Sequence, residues 1–582
     1  MTRALVLILC IAASAACSDD APTTVVFVTV DSRPGVSDLT SLVVRVDNDD
    51  ANTSDTFDVS GRSFPMTFTV TPTGRDGTLS ISVVGQDADS IERGRGVTQT
   101  EIVLDERTDA NVLLDPSDFV VNTKITGNQR LNFSAEENSK QLAFNPADGS
   151  FAVVFEDDCG MLNRCDIFMR MFDADGTPQV NQVNMNDTAF IVNLTGKGYR
   201  LSPSIAFNSG TYFVVWEAND VLQAVAISTA GEHVTAEIDI SKGNTPASAH
   251  VAALGNGGFV VTWAEWSVAE IGNVVKGRLF NASGTPVPNP ITNDNGPFQI
   301  SINETIAFSG TSVAASGSDR EFVVVWRDDD NVFARFFNGA AMPGTIGEVQ
   351  LTNHNSTATI QAPKVIWNGD QAVITWAVID SGNPDLNEGV MRVAQFTAPS
   401  GTRVTPIVTL ATGDANFFNL SSPAVTARAD GLLAATWANC GSQGDGDGCG
   451  ILLQLLRTSG LPVGDAQVIN TTVTSSQVTP SIIARDDALI SAWTDSSQMA
   501  PDTSNDAVRA RLLFIDSNLN NGKLGTRCGR AEDEPCDDGL VCIPGGEAVP
   551  YCHTSCDPSG PPPQCPSGGV CTTVGDSSGC VF

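Results

Sequence analysis

Tyrosine and histidine are almost absent from this 582-residue sequence, with three of the first and four of the second. Chemistry built on a tyrosine nucleophile or a histidine base therefore has few places to stand: Tyr199, Tyr212 and Tyr551, and within the long middle region His233, His250 and His354. No two of those histidines sit at metal-ligand spacing, and none lies near a Gly-x-Ser-x-Gly elbow. Basic residues are scarce as well. Thirty-two Lys and Arg face 67 Asp and Glu, for a formal charge of −35. That leaves no basic stripe to neutralise phosphates and argues against nucleic acid as a partner. Such acidity also keeps a surface protein soluble through self-repulsion. Past the first residues no stretch reaches the roughly 18 uninterrupted apolar residues of a membrane-spanning helix.

What the sequence does have begins with a processing signal. A basic start at Arg3 leads into an apolar run from Ala4 to Ala13, too short to span a bilayer, and then to small residues before a cysteine. Ser14-Ala15-Ala16-Cys17 resembles a bacterial lipobox, although Ser14 stands where an apolar residue is usual. The resemblance implies that residues 1–17 are a lipoprotein signal and that Cys17 becomes a lipidated N-terminus. The chain would then sit at the bacterial outer membrane or cell surface, touching the membrane through its lipid alone. Cleavage at a small-x-small site would instead release a secreted protein. Either route ends in an oxidising compartment, where paired cysteines form disulfides. Setting aside Cys10 and Cys17, the cysteines fall into the close pairs Cys159/Cys165 and Cys440/Cys449 and a terminal cluster of eight: Cys528, Cys536, Cys542, Cys552, Cys556, Cys565, Cys571 and Cys580.

Three regions follow, and all are β. Residues 22–118 alternate apolar and polar positions in short runs such as Val25-Val26-Phe27-Val28-Thr29-Val30 and Leu79-Ser80-Ile81-Ser82-Val83-Val84, separated by turn residues. That pattern predicts an antiparallel β-sandwich of immunoglobulin or fibronectin type, without the cysteine-tryptophan-cysteine core of antibody domains. Residues 519–582 hold the cysteine cluster among Gly, Pro, Asp and Ser. So small a segment is expected to be a disulfide-rich module, since burial alone cannot hold it. Local pairs within Cys528 to Cys552 and within Cys556 to Cys580 are expected there. Zinc at Cys552-His553-Thr554-Ser555-Cys556 is the competing reading.

Between them, residues 119–518 repeat one unit seven times. An apolar strand ending in an aromatic recurs as Phe151 to Phe155, Phe213 to Trp216, Phe259 to Trp263, Phe322 to Trp326, Ala372 to Trp376, Leu433 to Trp437 and Leu489 to Trp493. A strand such as Pro203-Ser204-Ile205 or Pro480-Ser481-Ile482 precedes it, and two strands follow. Four strands repeated seven times, roughly 50 residues apart, predict a seven-bladed β-propeller. The copies resemble blade repeats of bacterial surface proteins. The seventh copy lacks its fourth strand, and residues 120–126 resemble the missing one. They are expected to pair with residues 508–514, latching the ring and covering an otherwise bare edge.

The repeated tryptophans read as packing between blades, with carbohydrate stacking as the alternative. The loops after the aromatic strands are acidic: Glu156, Asp157 and Asp158, then Glu217 and Asp220, Asp328, Asp329 and Asp330, Asp445 and Asp447, and Asp495. In a propeller these loops share a rim. Calcium could be held weakly at Asp328, Asp330, Asp445 and Asp447, although Asp-rich turns are also ordinary solvated turns. No other cofactor is implied.

Function is read as binding or scaffolding through the propeller, with a protein, peptide or glycan as the unknown ligand. An extracellular glycan-active enzyme, glycosidase or lyase, is the second reading, and a structural envelope component the third. The Ser-x-Asp-x-Gly-x-Thr-Trp turn of sialidase blades is missing, and no linear spacing reveals paired carboxylates. A hydrolase would need two carboxylates roughly 5–9.5 Å apart in the propeller's central pocket.

Overall fold

The computed structural model describes residues 24–514 apart from 49–50, 73, 133–139, 158–164, 181–188, 196–197, 243–244, 268–271, 303–309, 329–330, 354–357, 381–387, 399, 415–422, 441–443 and 486–487, together with the isolated strands Leu5–Ile8, Leu540–Pro544, Pro550–Thr554, Val570–Val574 and Ser577–Val581. Every regular element among the described residues is a β-strand. No described helix could cross a membrane.

The N-terminal unit is a two-layer sheet. One layer holds Met66–Pro72, Val25–Ser32 and Arg107–Pro116; the other holds Ala51–Asp58, Ser41–Asn48, Gly77–Gln86 and Glu92–Ile102. The layers join through the short pairing Gly94↔Pro116 and Arg95↔Asp115. Strict alternation in the sequence becomes strict alternation in space. Val26, Val28 and Val30 point inward with Leu42, Val44, Val46, Leu79, Ile81 and Val83, and the residues between them face out. One ladder departs from the antiparallel expectation, since Val25–Ser32 runs parallel to Arg107–Pro116. Leu5–Ile8, inside the expected signal segment, adds an edge strand beside Met66–Pro72.

The propeller has seven blades. From the second to the fourth and in the sixth, four antiparallel strands follow one another in chain order. Blade 1 is built on Leu142–Phe144, Phe151–Asp157 and Asp166–Phe172, and blade 5 on Lys364–Asn368, Gln371–Asp380 and Glu388–Thr397. The second strand of each blade reads as an unbroken apolar run because both of its faces are covered by neighbouring blades. Phe151–Asp157, Leu433–Asn439 and Leu489–Asp495 are buried at every position. Trp216, Trp263, Trp326, Trp376, Trp437 and Trp493 are all fully buried. They pack blade on blade and present no face to a sugar.

The ring closes as a shared blade. Gln477–Ala484, Leu489–Asp495 and Ala507–Leu513 take their fourth strand from Phe119–Val120. Val121 N–H donates to the Val508 carbonyl at 2.7 Å. The pairing is shorter than the expected span of 120–126, because Asn122 turns out of the ladder to serve as a cap. Its side-chain oxygen accepts the Val508 amide, and its amide nitrogen donates to the Lys124 carbonyl and to Asp502. Asn193 and Asn470 do the same in two other blades, accepting from Ile167 and Ile451 and donating to Asp166 and Asp445.

Of the terminal module, two hairpins are described, with Cys542 opposite Cys552 and Cys571 opposite Cys580 in register. Cys17, Cys528, Cys536, Cys556 and Cys565 lie outside the described residues.

Candidate functional site

The innermost strand of each blade lines a central channel, and their registers can be aligned through the buried strand beside them. Ser204 faces Val215, His250 faces Thr262, Ser312 faces Val325, Lys364 faces Thr375 and Ser481 faces Ala492. In each case the partner immediately precedes the blade's tryptophan, so these five residues occupy one layer of the ring.

Most of that layer joins blades. Ser204 accepts the Val251 amide at 3.3 Å, Ser312 that of Val365 at 3.2 Å, and Ser481 that of Gln141 at 3.4 Å. His250 does the same with a ring nitrogen, Nδ1 accepting from Val313 at 3.3 Å. Its role is to be an acceptor, and its surroundings enforce it. Burial first, then the charges of Lys140 and Lys364, push its pKa down to about 3, so the ring stays neutral.

Lys364 breaks the pattern, since an ammonium cannot accept. Neither the ammonium group of Lys364 nor that of the neighbouring Lys140 has a hydrogen-bond or ion-pair partner among the described residues. Both line a cavity of about 280 Å³ with His250, Ser312, Thr426 and Ser481. The surrounding inner strands disfavour their charge, although Lys140 is exposed to the channel and Lys364 half-buried. The pKa of Lys364 falls to about 8, and that of Lys140 is also lowered.

Three residues further along, the same strands carry half-buried aromatic rings, Phe144, Phe207 and Trp367, into the lining. A strand rises about 3.3 Å per residue, so rings and cations stand about 10 Å apart along the channel. No carboxylate among the described residues lines this cavity. The carboxylate pair that glycoside hydrolysis requires is therefore not found there among the described residues.

The acidic loops are occupied with holding the fold. Glu156 accepts the Ser202 amide and Glu217 the Ser248 amide, each at 2.6 Å and each reaching into the next blade. Both serines have positive φ, 55° and 57°, at a register shift where the inner strand begins. Asp157 accepts from Gln129 at 2.6 Å, and Asp495 pairs with Arg509 at 2.6 Å with both side chains buried.

Asp445 accepts from Asn470 at 2.5 Å, and Asp447 from the Ser475 amide at 3.1 Å. Asp328 ends the second strand of blade 4; Asp158, Asp329 and Asp330 lie outside the described residues. No group of three or more metal-binding side chains is assembled among the described residues.

Cys440 and Cys449 are bonded, closing the hairpin between Leu433–Asn439 and Gly450–Leu456. Cys165 is disulfide-bonded too, and Cys159 lies outside the described residues. Neither lysine was singled out from sequence, although one signal was there: Pro363-Lys364-Val365 stands where other blades have Pro203-Ser204-Ile205 and Pro480-Ser481-Ile482.

No family model and no curated protein matches this sequence. Solved structures do resemble it. A polysaccharide lyase of family PL25, an ulvan lyase bound to -[GlcA(1-4)Rha3S]-, is similar at a TM-score of 0.40 and 10% identity, over 68% of this chain and 94% of that one. The Dos1 propeller is similar at 0.36 and 10%, over 66% and 94%. The GH43 endo-arabinanase from Bacillus licheniformis is similar at 0.28 and 11%, over 45% and 95%.

Proposed function

We propose that this chain is an exported, lipid-anchored propeller that binds an acidic saccharide in its central channel. The observation that carries this reading is the pair Lys140 and Lys364, two cations whose side chains have no partner among the described residues, lining a cavity of a protein with a charge of −35. Two like charges facing one channel without an anionic partner add nothing to folding stability, so they are placed for something else. An anionic group would supply the missing partner. The rings of Phe144, Phe207 and Trp367 would offer apolar surface to the remainder of the ligand, in the usual composition of a small-molecule site.

Lyase chemistry on the same ligand is a second reading, favoured by one specific feature. With a pKa of about 8, part of Lys364 is neutral in mildly alkaline solution and could take the proton next to a uronate carboxylate while Lys140 holds the carboxylate's charge. The glycosidase reading has no such support, because the described residues of the channel lining include no carboxylate.

Calorimetric titration with uronate oligosaccharides and their neutral counterparts tests the binding. Acidic ligands should bind and neutral ones should not, and Lys140→Met with Lys364→Met should remove the channel's site from the titration. Equal binding of both classes would sink the proposal. The appearance of an unsaturated uronate product on incubation would decide for the lyase.

A further inference from the structure

A second cavity, of about 630 Å³, opens between blades 4 and 5 and is lined by Gln350, Leu351, Thr352, Asn353, Arg392, Arg403 and Ile407. The sequence produces it by interrupting an outer strand. In blade 4 the fourth strand Pro343–Gln350 shifts register between Pro343 and Glu348, and in blade 5 the break is complete, splitting it into Thr402–Arg403 and Val408–Asp414 with Ile407 in the gap.

Arginines on third strands usually tie a blade to the one before it. Arg170 donates to the Val120 and Val121 carbonyls at 3.1 and 2.8 Å, Arg278 to those of Asp239 and Ile240 at 3.1 and 2.9 Å, and Arg335 to that of Ile300 at 2.5 Å. Each guanidinium closes a seam between neighbours. Arg392 also sits on a third strand, opposite Trp376, but its guanidinium has no partner among the described residues. Its Nε is buried and unsatisfied, as are those of Arg170, Arg278 and Arg335, but its side chain lines the groove with no carbonyl to meet its fork. Burial disfavours its charge, with no anion to offset the cost. Arg403, exposed on the other wall, brings a second guanidinium to the same space.

We propose that this groove is a second anion site, separate from the channel, in which the Arg392 fork grips the carboxylate or sulfate ester of an acidic saccharide and Arg403 supplies a second contact. A planar guanidinium suits both groups because it donates two parallel hydrogen bonds to a pair of oxygens. This inference rests on the groove alone and stands or falls independently of the channel.

The test uses the full chain with glucuronic acid, glucose 6-sulfate and plain glucose as calorimetric probes. Lys140→Met/Lys364→Met should retain one site for at least one charged sugar and none for glucose. Adding Arg392→Met should weaken that site at least tenfold, and Arg392→Lys should restore part of it. Which charged sugar binds distinguishes carboxylate from sulfate recognition. In the otherwise unaltered chain, Arg392→Met should lower the number of sites by one. It should also melt no lower than the parent in anion-free buffer, since it removes an unpaired, half-buried charge. A site count unchanged by Arg392→Met, binding of glucose as tight as that of the charged sugars, or a marked fall in melting temperature would overturn the proposal.

Discussion

Asn122 and Val508 are joined by a 2.8 Å hydrogen bond, side-chain oxygen to backbone amide, across 386 positions of sequence. The bond is buried, and the other half of the same amide group holds Asp502 at 2.8 Å. Asn122→Ala leaves a buried donor at Val508 and a carboxylate short of a partner, at a cost of about 1–3 kcal/mol. Urea unfolding followed by tryptophan fluorescence should show one transition at lower urea, because the latch holds the whole ring. A variant with an unchanged midpoint would mean that Val121 and the inner strands suffice for closure.

His250 performs a serine's task. His250→Ser should be tolerated, since Ser204, Ser312 and Ser481 accept the same inter-blade bond, whereas His250→Leu should cost about 1–3 kcal/mol by orphaning the Val313 amide. Acid behaviour separates the roles further. The folded pKa of about 3 lies below the ordinary 6.5, so the unfolded chain binds a proton first as pH falls. The stability contributed by the neutral ring is complete above pH 6.5 and is lost progressively between 6.5 and about 3. The melting temperature of His250→Ser should therefore fall less between pH 7 and pH 4 than that of the parent.

Ligand binding in the channel should follow the charge of Lys364. An ordinary lysine keeps its proton to about pH 10.4, but here the free protein begins to lose it near pH 8. Affinity for an acidic saccharide should hold constant below that value and decline as pH rises through it, with proton uptake on binding in buffers near pH 8.5. Lys364→Arg should remove the decline. Titration in two buffers of different ionisation heat measures the uptake, and a pH-independent affinity up to pH 10 would contradict the assignment.

Reducing Cys440–Cys449 should loosen one hairpin locally. A sequence separation of nine gives a chain-entropy contribution of about 2–3 kcal/mol. Cys440→Ser/Cys449→Ser should melt earlier than the oxidised parent, and hydrogen exchange should rise first in Gly450–Leu456.

The repeat was legible because its message is redundant. Seven apolar strands tipped with an aromatic, each preceded by an inner strand and followed by two more, leave few alternatives to a propeller, and the buried tryptophans have the packing role that such repetition implies. The channel was not legible for the opposite reason. Lys140, His250 and Lys364 each occur once, far apart in sequence, and only the ring brings them together.

Lys364 could have been noticed as the departure from a Pro-Ser-Ile pattern, but Lys140 carries no such mark. The acidic loops also misdirect, because a carboxylate in a turn looks the same in sequence whether it meets solvent or, like Glu156 and Glu217, reaches into the next blade for a strained serine. The latch was foreseen in the right place and at too great a length, since the alternation of residues 120–126 does not reveal that Asn122 leaves the ladder.

The shared last blade also sets a timetable. A ribosome adding roughly 5–20 residues per second needs roughly 20–80 s to travel from Asn122 to Val508, and through all of that interval the strand Phe119–Val120 waits for neighbours not yet made. Six blades can form behind it, but the circle cannot shut until nearly the whole propeller has emerged. A chain stopped anywhere before Ala507 is left as an open arc with a bare edge at each end, so translation arrest or early proteolysis at that point should yield clumping fragments and no smaller working propeller.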